Sequence, residues 1–330
     1  MPRHSIVIPV FNERDGLEEL FLRMKEVADQ IVDSSSDDAE IILVNDGSKD
    51  GSLEKLDEIA TRDNRFKVLH LSRNFGHQVA ITAGLEWASG DTVTVMDADL
   101  QDPPEVILEF IQKWREGFEV VYAVRRSRAG ETKFKLWTAK LFYRIIRRIT
   151  QFDIPVDTGD FRLMDRRAAD AFLKLRERHR FIRGLVSWIG YKQVGVPYDR
   201  AERKHGQTHY PFKKMLKFAL DGVTSFSMFP LQIATYVGVA SAACAFLGIL
   251  YTLYLKFGTE KTIHGWTSLM IVVLFLGGVQ LLAIGVIGEY LGRVFDEVRR
   301  RPLYFISRSV GFDQSPVGYG EVTRQVLVRS

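Results

Sequence analysis

The chain has 330 residues, more than the ~100–200 of a usual domain, and its one cysteine, Cys244, excludes a disulfide framework. An apolar fraction of 46% with 22 Phe and 11 Tyr excludes a disordered chain. The net charge of +4 hides a lopsided distribution: residues 222–288 hold only Lys256, Glu260 and Lys261, so the mean hydropathy of −0.05 describes neither part of the chain.

From the start, β-branched apolar runs alternate with amphipathic stretches. Strands buried on both faces are predicted at 5–11, 40–45, 66–71, 92–96 and 119–124, with helices at 16–32, 53–62, 78–88 and 105–116. This alternation predicts right-handed crossovers and a mostly parallel sheet, whose ligands bind beyond the carboxyl ends of the strands. The only apolar run near the start is 6–11, which is too short for a secretory signal and contains Pro9.

Residues 123–148 then carry nine basic side chains against one acidic, Glu131, and 192–199 reads as a further strand. Residues 210–229 pattern as an amphipathic helix with Lys213, Lys214 and Lys217 beside Phe212, Leu216, Phe218 and Leu220, suited to a membrane interface. Two spans follow, 230–255 and 265–290, each beyond the ~20 apolar residues that cross a bilayer core. A short turn, 256–264, joins them, so both outer flanks lie on one side. Those flanks carry Lys213, Lys214, Lys217 and then Arg293, Arg299, Arg300, Arg301 and Arg308, which places them, the 1–209 domain and the basic 291–330 segment in the cytoplasm. Gly288 and Gly292 form one GxxxG, suited to close packing within the hairpin.

Neither GxGxxG nor GxxxxGK[ST] occurs, so a glycine-rich phosphate cradle is not expected. The second strand runs into Val44-Asn45-Asp46-Gly47-Ser48-Lys49-Asp50-Gly51-Ser52, a turn and helix cap. Read as a calcium loop it would need Glu at its twelfth position, where Asp57 stands. At a strand's carboxyl end, Asp46 can instead take a ribose or base donor. The fourth strand runs into Asp97-Ala98-Asp99-Leu100-Gln101-Asp102-Pro103-Pro104, whose alternating oxygens suit Mg2+ or Mn2+ bridging a diphosphate.

Four ordered motifs, SIVIPVFNE, VNDGSKDGS, LSRNFGHQVA and MDADLQDPPE, make the chain from Ser5 to about Tyr210 resemble the family 2 glycosyltransferases, an α/β class with the Rossmann-like glycosyltransferase-A fold. With two spans following, it is most similar to the polyprenyl-phosphate glycosyltransferases, including dolichol-phosphate mannose synthases and bactoprenol glucosyltransferases. The resemblance implies nucleotide contacts at Pro9, Phe11, Glu13, Asp46 and Asp97, with Arg203 on the donor diphosphate and a metal on Asp99 and Gln101. It also implies that Arg125, Arg128, Lys135 and Lys140 meet an acceptor phosphate, for which charge-assisted bonds are apt. Asp157 is the candidate base, although a phosphate is already anionic and Asp157 could instead orient groups.

The QxxRW signature of processive polysaccharide synthases is absent and two spans are too few for a polymer channel. The expected activity is therefore inverting transfer of one sugar, with UDP-glucose and undecaprenyl phosphate the favoured partners at the inner face of the cell membrane. Other sugars remain open. A neutral lipid acceptor is opposed by the basic segment, and a noncatalytic sensor by the intact Asp97, Asp99, Gln101 cluster. A homo-oligomer is compatible with the sequence, and nucleic acid is not an expected partner.

Overall fold

In a computed structural model, the described residues are 3–35, 37–126, 158–178, 180–200, 229–258 and 265–312. They divide into an α/β unit, which takes everything up to 200 together with 301–312, and a helical unit of 229–258 and 265–300.

The α/β unit opens with β1 (His4–Val10), a 3-10 turn (Arg14–Gly16) and α1 (Leu17–Ser35). Next come β2 (Ala39–Asn45), α2 (Ser52–Arg62), β3 (Phe66–Leu71), α3 (His77–Trp87), β4 (Thr92–Val95), α4 (Val106–Arg115) and β5 (Val120–Arg125). After the undescribed stretch, β6 (Thr158–Asp165), α5 (Arg166–Lys174), α6 (Ile182–Trp188) and β7 (Gln193–Tyr198) complete this part, and β8 (Ile306–Val310) lies near the chain's end. The sheet order is β7-β5-β6-β4-β1-β2-β3-β8. β1 lies parallel to both β2 and β4, β2 to β3 and β5 to β7, whereas β6 and β8 run antiparallel to their neighbours.

Because side chains alternate across a strand, Ile6, Ile8 and Val10 of β1 join α1 and α4 in one core layer containing Leu20, Met24, Ile107 and Phe110. Val7 faces α3 on the other side. A Cβ on Gly84 of α3 would come within 2.2 Å of a Val7 methyl, so glycine lets this helix lie directly on β1.

The strand and helix predictions up to residue 125 match within one to three residues at each end. β6, α5, α6 and β8 were not foreseen. β6 buries Asp160 and Arg162, charges that read as loop in a sequence, and β8 lies in what was read as a basic tail.

The helical unit consists of α7 (Phe229–Gly258) and α8 (Trp266–Val298), packed against each other. Both contain a window long and apolar enough to cross a membrane, at Leu231–Gly248 and Phe275–Val298. Large side chains such as Leu247, Leu281 and Leu282 are exposed, as lipid contact requires. The helices run beyond the expected spans: residues 256–258 are helical, and α8 continues past 290, where Arg293 pairs with Glu289 at 3.3 Å. The remaining turn residues, 259–264, and the interface helix apart from Phe229, which opens α7, lie outside the described residues.

Candidate active site

The register of two strands builds the centre of the site. Val93 pairs with Met164 and Val95 with Arg162 across the antiparallel β4–β6 ladder, so Asp97 and Asp160 are opposed just beyond its end. On its other edge β6 carries two extra residues against β5 between the Tyr122–Arg162 and Val124–Thr158 pairs, which bends the Gly159–Asp160 segment at this point. Both acids thus reach the carboxyl ends of β1 and β4.

The N-terminus of α3 closes this centre. His77 Nε2 lies 3.4 Å from Asp97 Oδ1 and 3.4 Å from Asp160 Oδ2, and Gln78 Nε2 donates to Asp160 Oδ2 at 3.1 Å. Arg183 Nε, from α6, donates to Asp160 Oδ1 at 3.0 Å, while Gln78 Oε1 accepts from the Ile182 amide at 3.1 Å. Burial alone would raise the Asp160 carboxyl, but Arg183, His77 and Arg162 more than reverse that and hold it far below the usual carboxylate range. Burial pushes Arg162 down to about 10, so it remains a cation at neutral pH. His77 is shifted the other way, since its two carboxylate neighbours outweigh the cost of burial and raise it.

Asp97 is less well compensated. Burial, followed by the charges of Asp160, Asp102 and Asp99, pushes its carboxyl up to about 6 against the opposing pull of His77. Its Oδ1 is buried without a hydrogen-bond donor, as is Asp102 Oδ2. Asp99 Oδ1 accepts from the Gln101 amide at 3.2 Å across Leu100, whose φ of 54° holds this loop in a left-handed turn that leucine rarely adopts. Among the described residues no three His, Cys, Asp or Glu side chains form a ready cage. This donor set fits Mg2+ or Mn2+ all the same: hard oxygens, excess negative charge and orphaned carboxylate atoms suit an ion held by one or two protein ligands plus substrate phosphates.

Asp102, from the same loop, is buried. It accepts from Tyr198 Oη and lies 3.5 Å from Arg200 Nε. Burial and this carboxylate push the Tyr198 phenol up to about 12. Arg125, paired in register with Tyr198 at the end of the parallel β5–β7 ladder, donates from Nε to the phenol oxygen at 3.4 Å. A Cβ on Gly159 would lie 3.6 Å from Arg125 Nη2, so the guanidinium borders the Asp160 segment.

The loops after β1 and β2 form the remaining wall. Asp46 is buried, and its two oxygens accept from the amides of Phe75 (2.7 Å) and Gly76 (2.9 Å). Besides the ligand role expected of it, Asp46 thus clasps the loop leading into His77. Gly47, at φ +69°, lets this turn pass where a Cβ would meet the Arg73 and Asn74 backbone at 2.6 Å. Phe11 is exposed at the rim, Glu13 is half-buried, and Pro9 is buried within β1. Asn12 (φ 56°) ties the two loops together, its amide donating to Ser48 Oγ at 3.0 Å and its Oδ1 accepting from the Lys49 amide at 2.8 Å.

Of the residues expected in the site, Pro9, Phe11, Glu13, Asp46, Asp97, Asp99, Gln101 and Arg125 all stand at the carboxyl ends of β1, β2, β4 and β5. Asp157, Arg128, Lys135, Lys140 and Arg203 lie outside the described residues. His77, Gln78, Asp102, Asp160, Arg183 and Tyr198 received no role from the sequence. His77, Gln78 and Asp102 stand inside the motif strings and Asp160 in none of them; only the β4–β6 register brings Asp160 to Asp97 and His77.

Comparison with known proteins gives the family of both parts of the chain. The family described as glycosyl transferase family 2 matches residues 5–173, and that described as the GtrB C-terminal hairpin matches 229–294. The uncharacterized glycosyltransferase YkcC of Bacillus subtilis (strain 168) is 52% identical over 316 residues, covering 95% of this chain and 97% of that one. The prophage bactoprenol glucosyl transferase homolog of Escherichia coli (strain K12) is 39% identical over 304 residues, covering 92% and 98%. The bactoprenol glucosyl transferase of Shigella phage SfV is 40% identical over 302 residues, covering 92% and 97%.

Proposed function

This chain belongs to glycosyl transferase family 2 and has a glycosyltransferase-A-like fold followed by a GtrB-type hairpin, and on that premise we propose that it transfers one sugar from a nucleoside diphosphate to polyprenyl phosphate. The observation that carries this reading is the union of both parts in one chain, shared over 92% of its length with relatives named for bactoprenol glucosyl transfer. UDP-glucose and undecaprenyl phosphate are the proposed pair, and Mg2+ or Mn2+ the proposed cofactor.

In this reading the nucleotide lies on the loops of Phe11, Glu13 and Asp46, with Asp97 toward its sugar side and Arg203 toward its diphosphate. Asp99 and Gln101 would hold the metal, which when bound offsets charge on the departing diphosphate. Arg125, with Arg128, Lys135 and Lys140, receives the acceptor phosphate. One phosphate oxygen forms the new bond to the anomeric carbon from the face opposite the leaving group, and the bond from that carbon to the diphosphate oxygen breaks with its electron pair. Configuration inverts, and the products are polyprenyl phosphate sugar and nucleoside diphosphate. Because the attacking oxygen is already anionic, Asp157 orients the acceptor or accepts a residual proton.

Radiolabelled UDP-glucose and undecaprenyl phosphate, incubated with the full chain and Mg2+ in detergent, should give labelled lipid. Labelled lipid from another sugar nucleotide would change the donor, and label only on a neutral lipid would overturn the acceptor. The basic flanks put the catalytic unit in the cytoplasm and 256–264 outside the cell membrane. An impermeant thiol reagent should therefore label Thr259→Cys in intact spheroplasts once Cys244 is replaced; labelling only after lysis would reverse the orientation.

A further inference from the structure

Residues 301–312, which follow α8 in sequence, are bound along the β3 edge of the α/β unit. The Arg301 carbonyl accepts from Arg178 Nη1 at 3.3 Å, Tyr304 Oη donates to Glu86 Oε2 at 2.5 Å, and the Phe305 carbonyl accepts from the Ser72 amide at 2.9 Å. Ser307 Oγ donates to the His70 carbonyl at 3.0 Å, and the Phe312 ring meets Trp87 edge-on at 4.9 Å. Tyr304 and Ile306 are buried. So anchored, β8 presents Arg308 to Asp57 of α2, and the two form an ion pair.

From Asp57 a polar chain runs beneath the sheet surface to the loops after β1 and β2, and its donors and acceptors can be assigned. Asn45 Oδ1 accepts from the Ser48 amide at 2.9 Å, so its Nδ2 is the group 3.0 Å from His70 Nδ1, and it donates there. Nδ1 of His70 is therefore unprotonated and the ring proton is on Nε2, which donates to Asp57 Oδ1 at 3.0 Å. Burial pushes the His70 pKa down, in keeping with a neutral ring. Asn45 and His70 are each 1% exposed, so neither can exchange its partner for water without cost. Beyond Ser48 the chain reaches the Asn12 amide.

We infer that Arg308 is a positioning residue for donor binding, acting through Asp57, His70 and Asn45 on the loops that carry Phe11, Glu13 and Asp46. This rests on the reading that those loops hold the nucleoside diphosphate. Asp57 is the joint at which the effect enters. Its carboxylate is partly open to water, and without Arg308 it can swing outward, leaving the His70 Nε2 proton without its acceptor and the Asn45 amide less firmly aimed.

The experiment is calorimetric binding of UDP, GDP, CDP and TDP to the full chain in detergent with Mg2+, with melting followed in parallel. The wild type should bind one of them. Arg308→Ala should weaken that nucleoside diphosphate by about 3- to 10-fold, the scale of one lost hydrogen bond, with the melting temperature held. Arg308→Lys, which can still reach Asp57, should recover most of the affinity, and Asp57→Ala, which breaks the chain one link further in, should weaken it at least as much as Arg308→Ala. Equal affinity in wild type, Arg308→Ala and Asp57→Ala would overturn the inference while leaving the proposed function standing, as would an Arg308→Lys protein as weak as Arg308→Ala. No binding of any of the four by the wild type would sink the proposed function and this inference with it.

Discussion

Asp97 and Asp160 are brought face to face by the β4–β6 register, and the His77 imidazole is shared between them, 3.4 Å from an oxygen of each. The two acids behave differently because Asp160 also has Arg183 and Gln78, whereas Asp97 Oδ1 has no hydrogen-bond donor. One carboxylate is a fixed ionic anchor. The other is held in excess negative charge at the place where a cationic or phosphate-bound partner would arrive.

The anchor can be tested by stability. Asp160→Asn leaves Arg162 and Arg183 facing a neutral amide in a buried setting, and breaking a buried pair by removing one partner costs about 3–5 kcal/mol. Chemical denaturation of the full chain should show a loss of that size in the α/β unit. A loss below about 1 kcal/mol would mean that the arginines find other partners and that Asp160 is not the anchor.

The pH response follows from two buried histidines. Burial holds His4, which faces Asp37, Thr92, Arg3 and Arg115, and His70, which faces Asp57, Asn45 and Arg308, below their ordinary values. The unfolded chain therefore takes up more protons once pH falls below about 6.5, and stability should drop as pH falls through that value toward the folded pKa values. His77 and Asp97, both raised in the folded state, act oppositely: the His77 contribution is complete below about 6.5 and is lost as pH rises through its folded pKa, and Asp97, pushed up to about 6, also favours the fold as pH falls through that value. Measured from pH 7 to 5.5, the melting temperature of His4→Gln should fall less steeply, or rise more, than that of the wild type. An equal change in His4→Gln would exclude His4 as a source.

The parallel half of the sheet was legible because β1 and β2 carry unbroken apolar runs, 6–10 and 41–44, and the turns after them carry Asn12 and Gly47 where φ becomes positive. β6 was not legible, because Asp160 is buried by partners on other elements, Arg183 and His77, and Arg162 by a bond to the Gly159 carbonyl that forms only once β6 bends there. β8 is a short edge strand whose fit depends on Ser72, His70 and Asp57, more than 230 residues earlier. The site was legible where its acids leave a strand consecutively, as Asp97 and Asp99 do. It was not where one carboxylate pair, Asp97 and Asp160, is made by register alone.

The metal assignment predicts that Asp99→Ala loses at least about 100-fold in transfer while the fold survives, since a ligand to the charge-neutralising ion is gone. Transfer by the wild type should also stop in EDTA and return with Mg2+ or Mn2+. Turnover by Asp99→Ala at the wild-type rate, unchanged by EDTA, would refute the assignment.

Arg125 separates the acceptor from the donor. Its guanidinium is supported by Tyr198 Oη, which is itself fixed by Asp102, and it borders Gly159 at the end of β5. The donor side already has the proposed metal and Arg203 to balance its diphosphate, so the charge of Arg125 is available to a second phosphate. A hydrogen bond to a charged group is worth about 1.5–3 kcal/mol net, so Arg125→Ala should raise the acceptor KM by roughly 10- to 150-fold. Tyr198→Phe removes the support from the phenol oxygen together with the bond that Asp102 accepts from it, keeps the Arg125 charge and should cost less, while donor affinity stays near wild type in both. The prenyl chain still partitions into detergent or bilayer by its apolar area, so lipid access is unchanged and phosphate capture alone suffers. Initial rates against acceptor, with donor affinity by calorimetry on the same proteins, separate the two sites. If donor affinity collapses in Arg125→Ala while the acceptor KM holds, Arg125 belongs to the nucleotide, and the acceptor phosphate must be met elsewhere.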